Sequence, residues 1–181
     1  MALLFQSNPN QWDLRKYLQP GGRASWFVNR YLNYMKPGTV TLFWEAQGQE
    51  KYAIRGLYGW GIVEAEPAED VNGKLRVPLT YIERWVSSHD AEYSVPDSEH
   101  IAAIPADEVL ALRSWRDHLL ARMPVGTNFI VSGEQMIELS KIVLKKYPSS
   151  AFEKATATAR EGKRLKTEEF VAQRVMEVHY G

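Results

Sequence analysis

The chain contains no cysteine, which removes disulfide frameworks and cysteine-ligated zinc from consideration. No apolar run approaches the ~18 residues that a membrane-spanning helix requires. The first residues, Met1-Ala2-Leu3-Leu4-Phe5-Gln6, lack the basic start of a signal peptide and read as a first strand. Net charge is also missing: 22 Lys and Arg balance 22 Asp and Glu, an unsuitable balance for a generic polyanion binder. The four histidines, His89, His100, His118 and His179, form no H-x-x-x-H or H-E-x-x-H pair. There is no G-x-S-x-G elbow and no Walker-type phosphate loop. No metal, cofactor or catalytic centre is therefore expected. His89-Asp90 and Glu99-His100 are the remaining candidates for acid–base work. Cytoplasmic residence is compatible with this composition.

What is present is a single-domain length of 181 residues, 45% hydrophobic and 24% charged, with six tryptophans. Charge is unevenly placed. Residues 1–44 hold Arg15, Lys16, Arg23, Arg30 and Lys36 against Asp13; 87–108 hold six acids and no Lys or Arg; 141–166 hold eight basic residues against Glu153 and Glu161. A basic face of this kind attracts phosphates locally, although solvated surfaces have the same composition.

Pattern reading predicts a strand over 2–7, a turn at Asn8-Pro9-Asn10 and a short helix over about 10–18, stopped by Gln19-Pro20-Gly21-Gly22. It predicts an extended piece at Trp26–Asn29, a helical turn within Arg30–Met35, and a tight turn at Lys36-Pro37-Gly38. A strand at Thr39–Glu45 and a hairpin loop at 46–49 follow, then a long strand from Tyr52 to about Ala65. Gly56, Gly59 and Gly61 should kink or bulge that strand, or simply permit barrel curvature. Strands at Leu75–Leu79 and Tyr81–Val86 come next. Helices are expected from Pro105 to Leu112, over Trp115–Met123, and after the capping box Ser132-Gly133-Glu134-Gln135. Ser150 with Glu153 offers another box, Gly162 a break, and Thr167 a cap for a last segment with an apolar stripe of Phe170, Val171, Val175 and Val178. Strands clustered ahead of helices give an α+β chain: a small, partly closed β-barrel flanked by helices over 1–148, and a helical C-terminal extension over 149–181. That extension either packs on its own domain or forms a homodimer or partner contact.

The order Phe5-Gln6-Ser7-Asn8-Pro9, Trp26-x-Val28-x-x-Tyr31, Lys36-Pro37-Gly38-Thr39-Val40-x-Leu42-Phe43-Trp44 and Gly56-x-Tyr58-Gly59-x-Gly61-x-Val63 resembles the EVE domain. That family belongs to the PUA-like group, which also includes the YTH readers. Pro124-x-Gly126-Thr127-Asn128-Phe129 with its capped helix is similar to the closing segment of EVE-like domains in prokaryotic modification-dependent restriction systems. The resemblance covers about 2–147. It implies a PUA-like pseudo-barrel of five or six strands that recognises a modified base, most often a modified cytosine in DNA, flipped into an aromatic cage. A defence role beside a nuclease or motor protein follows from the same likeness.

In such a cage Trp26 and Trp44 are the first choice of walls, with Tyr31 and Trp60 next and Val28 in the same segment. Asn8 and Asn29 can donate and accept at a base edge, and Asn128 can close the far side. Arg30, Lys36 and Arg55 are the candidate phosphate holders. Each has a plainer alternative: Asn8 as a helix cap, Trp44 and Trp60 as core. Trp12, Trp85 and Trp115 read as packing residues. Two other functions use the same features: an RNA-binding PUA-like accessory, and a protein-interaction module acting through the C-terminal arm.

Overall fold

The computed structural model describes residues 1–47, 55–85, 104–118, 120 and 128–171. The rest of the expected 46–49 loop, the start of the long strand, His89, His100, residues 121–127 and Val175 to the C-terminus lie outside them.

The strands are β1 (Ala2–Ser7), β2 (Arg23–Phe27), β3 (Val40–Glu45), β4 (Gly56–Val63), β5 (Ala68–Glu69), β6 (Leu75–Arg84), β7 (Ile104–Pro105) and β8 (Asn128–Val131). The helices are α1 (Leu14–Tyr17), α2 (Ala106–Leu110), α3 (Gly133–Lys146) and α4 (Phe152–Arg160), with a 3-10 turn at Leu32–Tyr34. Six strands form one curled half-barrel sheet in the order β2-β6-β4-β3-β1-β8; β5 pairs with β6 and β7 with β4. β1 and β3 run parallel, Phe5 opposite Phe43, and the other pairings are antiparallel.

Every residue of β1, β3 and β4 is buried, because both faces of the sheet are covered. Alternation then sorts side chains into two cores. Ala2, Leu4, Val40, Leu42, Trp44, Trp60 and Ile62 face the helices, with Met136, Leu139 and Val143 of α3 and Phe152 of α4. Leu3, Phe5, Phe43, Tyr58, Val63, Val77, Leu79 and Tyr81 face the other way, onto Leu14, Leu18, Val28 and Met35. β4 breaks alternation once: Tyr58 and Trp60, two residues apart, lie in different cores, where the register with β3 shifts between Phe43 and Trp44. A Cβ on Gly61 would lie 2.3 Å from the Thr80 carbonyl oxygen and 3.0 Å from the Phe43 ring. Glycine is needed here for close approach, as its place in a strand predicts.

Several boundaries differ from the sequence reading. Residues 10–18 give only the four-residue α1, because local bonds hold Asn8–Trp12 as a turn. The Asn8 carbonyl oxygen accepts the N–H groups of Gln11 and Trp12 at 2.9 and 2.8 Å, and helix starts only where Glu45 Oε2 accepts the Leu14 N–H at 2.9 Å. The strands expected on either side of Thr80 are one. Pro78 is tolerated inside β6 because β4 ends at Val63, opposite Leu79, so no ladder bond is asked of the proline nitrogen. Residues 111–117 form turns rather than helix. Asn128, expected in a loop, begins β8 opposite Phe5. The Ser132 capping box is formed with both of its bonds.

The second expected box is replaced. The buried Glu83 carboxylate of β6 accepts the Ala151 N–H at 2.7 Å and the Ser150 hydroxyl at 2.6 Å, so the sheet itself caps α4. Further on, the Leu165 N–H donates to the Gly38 carbonyl oxygen at 3.3 Å, Thr167 Oγ1 donates to Glu64 at 2.7 Å, and Phe170 meets Trp60 edge-on at 5.4 Å. Up to residue 171 the apolar stripe is therefore covered by this chain's own sheet.

Candidate functional site

β2 is an edge strand, and beside it opens a cleft of about 360 Å³ lined by Gln6, Ser7, Asn8, Gln11, Trp12, Ser25, Trp26, Phe27 and Arg76. Its volume falls in the range of small-ligand pockets, roughly 300–1,000 Å³. One wall is the turn after β1. Asn8 Oδ1 accepts the Asn10 N–H at 3.0 Å, an Asx turn of the kind Asn-Pro-Asn favours, and Ser7 Oγ donates to the Trp12 carbonyl oxygen. This leaves Trp12 43% exposed, its ring stacked on Tyr17 at 4.1 Å and 22°.

The other wall is Trp26. Its Nε1 donates to the Tyr81 hydroxyl at 3.0 Å, and its ring lies 5.5 Å from Phe5 and 5.6 Å from Phe43. A half-buried indole held by a bond and two rings cannot turn freely, so little side-chain entropy remains to be lost when a ligand stacks on it. Burial pushes the Tyr81 hydroxyl above its ordinary pKa of 10.0, opposed by hydrogen bonds with Trp26 and Trp12, and Tyr81 stays a neutral phenol under physiological conditions.

Arg76 is the charged side chain of the cleft. Its Nε donates to Asp70 Oδ2 at 2.8 Å and its Nη1 to the Ser25 carbonyl oxygen at 3.1 Å. Hydrogen bonds from Arg76 and from the backbone N–H groups of Lys74 and Asn72 hold the Asp70 carboxyl below its usual range. The pair is ionic at neutral pH and lies near the surface.

Of the residues expected in a cage, the cleft unites Asn8 and Trp26. Trp44 and Trp60 are 0% exposed and lie in the helix-facing core, Trp60 between Phe152 and Phe170; neither can wall a slot open to solvent. Both sit in phase with Val40 or Ile62, whose faces the helices cover. Val28 is buried in the opposite core. Asn128 is buried, and its Nδ2 donates to the Arg30 carbonyl oxygen at 2.6 Å, so it pins the loop after β2 instead of closing a cage. Asn29 and Arg30 are exposed outside the cleft lining. Tyr31, in the left-handed region at φ 59°, lines a separate cavity of about 350 Å³ with Asp117, His118 and Gln135. Of the other basic residues, Lys36 pairs with Glu66 at 2.7 Å. Arg55 donates to the Leu120 carbonyl oxygen at 2.9 Å and lies over the Trp44 ring. Sequence reasoning missed Trp12, Arg76 and Tyr81. Trp12 was legible, since it follows the Asn-Pro-Asn turn that keeps it out of a regular helix. Arg76 was not, because only the pairing of β6 with β2 brings it to the cleft.

No protein-family model matches the chain, and no curated protein matches it in sequence. Solved structures do match in shape. A hypothetical protein from Leishmania major superposes with a TM-score of 0.54 at 14% identity, covering 80% of this chain and 94% of that one. A protein from Pseudomonas syringae gives 0.55 at 12%, covering 78% and 99%. Human THYN1, solved in complex with 5-methylcytosine-containing DNA, gives 0.52 at 12%, covering 78% and 96%. The fold is PUA-like. At these identities the likeness is one of fold alone, and the site stands on its own geometry.

Proposed function

We propose that this chain is a non-catalytic nucleic-acid-binding module whose edge-strand cleft receives one unstacked base, a modified cytosine in DNA. The observation that carries the reading is Trp26: an indole fixed by Tyr81, Phe5 and Phe43 at the side of an open cleft rimmed by amides and hydroxyls. A flipped base has lost a few kcal/mol of stacking and pairing, and stacking on an aromatic wall returns roughly 1–3 kcal/mol. Asn8 has one Oδ1 lone pair engaged in its turn, so its Nδ2 is the group suited to a base carbonyl. The PUA-like neighbour solved with 5-methylcytosine-containing DNA supports the choice of polymer and base.

The test is fluorescence anisotropy with labelled oligonucleotides carrying one 5-methylcytosine, one cytosine, or the same sequence as RNA. A methyl in a fitted apolar contact contributes ~1–3 kcal/mol, so the methylated DNA should bind at least about fivefold tighter. Equal affinity for all three would refute the base reading. Tighter binding of the RNA would turn it towards an RNA partner.

A further inference from the structure

Arg76 of β6 and Trp26 of β2 reach the cleft from opposite faces of the sheet. Trp26 pairs with Val77 and Phe27 with Arg76, and Val77 lies in the core with Phe5 and Phe43. Side chains directly opposite share a face, so Phe27 and Arg76 stand on the far side of β2 from the indole. The Pro78 carbonyl oxygen accepts from Glu64 N–H at 2.9 Å, away from β2. Its partner Ser25 is therefore in a non-hydrogen-bonded pair, with its carbonyl on the open edge. Arg76 Nη1 reaches that carbonyl at 3.1 Å, which brings the guanidinium to the edge itself. Two of its five N–H donors are used, on Asp70 and Ser25; among the described residues the other three have no partner.

Resting on the base-binding reading, we infer that the cleft takes a whole nucleotide bent around the edge of β2, its base against Trp26 and an adjoining phosphate on Arg76. Asp70 and Ser25 orient the guanidinium by Nε and Nη1, leaving one Nη1 hydrogen and both Nη2 hydrogens for a phosphate. A planar fork of that kind matches phosphate oxygens better than a lone ammonium would. Among the described residues, Arg76 is also the only charged side chain in the cleft lining. The arrangement accounts for binding by a chain without net charge: the phosphate meets one oriented cation rather than a basic field.

The experiment is a double-mutant cycle between protein and ligand. Single-stranded DNA with one 5-methylcytosine is compared with oligonucleotides in which the phosphate 5′ or 3′ to that base is an uncharged methylphosphonate. Each is titrated with the intact chain and with Arg76→Gln, and circular dichroism checks that the variant is folded. One of the two neutral oligonucleotides should bind the native chain about 5- to 20-fold more weakly. Arg76→Gln should bind the unmodified oligonucleotide with a similar deficit, lose no more than about twofold on neutralisation, and show a salt slope shallower by about one. Methyl discrimination should persist in the variant. If the native chain is indifferent to both methylphosphonates, or Arg76→Gln remains as sensitive as the native chain, the phosphate contact is refuted and the base reading survives. If no oligonucleotide binds, the base reading itself falls. Loss of monodispersity in Arg76→Gln with unchanged DNA affinity would make Arg76 an edge guard only.

Discussion

Tyr81→Phe isolates the device on which the proposed site depends. The substitution removes one oxygen and leaves the ring beside Phe43, with which Tyr81 makes an edge-on contact at 4.8 Å. What it takes away is the acceptor 3.0 Å from Trp26 Nε1, together with the same oxygen's hydrogen bond with Trp12. An N–H that loses its partner in a buried place costs about 1–3 kcal/mol. Trp26 is only half-buried, and water reaching Nε1 would reduce this to the lower end. With a urea m-value of about 2 kcal/mol/M, a loss near 1 kcal/mol moves the midpoint down by about 0.5 M. Binding should suffer separately, because an indole released from its bond must be ordered again by the ligand, at about 0.5–1.5 kcal/mol per side chain. That is a two- to tenfold rise in Kd. The assays are urea unfolding followed by far-ultraviolet circular dichroism, and anisotropy with methylated DNA. A variant with unchanged midpoint and unchanged Kd would show that Tyr81 does not hold Trp26, and the claim of a pre-set wall would go with it.

Trp12→Ala should weaken methylated-DNA binding by about tenfold, the value of one stacking contact, with a melting temperature within about 3 °C of native by scanning calorimetry, because the residue is 43% exposed and lies outside both cores. Gly38→Ala should destabilise by more than 1 kcal/mol in urea melts: φ is +85° and a Cβ would stand 2.7 Å from the Leu165 carbonyl oxygen. Protease should then cut the C-terminal segment first. The His118 imidazole has its pKa lowered by burial, opposed by its bond with the Ile130 carbonyl. The unfolded chain therefore takes up this proton first, and His118's contribution, present above about pH 6.5, is lost as pH falls through the folded pKa. His118→Gln should show a smaller fall in melting temperature between pH 6.5 and 5 than the native chain. Tyr81 titrates in the opposite sense: its raised folded pKa makes its stabilisation complete below pH 10 and lost above it, so Tyr81→Phe should flatten alkaline unfolding.

The sequence by itself determined the strands β1, β3 and β4, the glycine bulge and the capped α3, because these follow from short-range rules: alternation, close approach at Gly61, and reciprocal bonds three residues apart at Ser132 and Gln135. It also picked out Trp26 and Asn8 as cleft residues, since turn chemistry at Asn8-Pro9-Asn10 and an aromatic on a short extended piece are local signals. Which tryptophans face solvent was decided elsewhere. Trp44 and Trp60 look the same as Trp26 in one dimension, and only the packing of α3, α4 and Phe170 over their side of the sheet makes them core. Arg76 became part of the site through its pairing with an edge strand that precedes it by some fifty residues, a register no local pattern encodes. The capping of α4 by Glu83 is of the same kind, a buried carboxylate answering a helix end 68 residues away. Short-range geometry therefore wrote the elements, whereas burial and cross-strand register, both properties of the assembled sheet, chose which side chains meet a ligand.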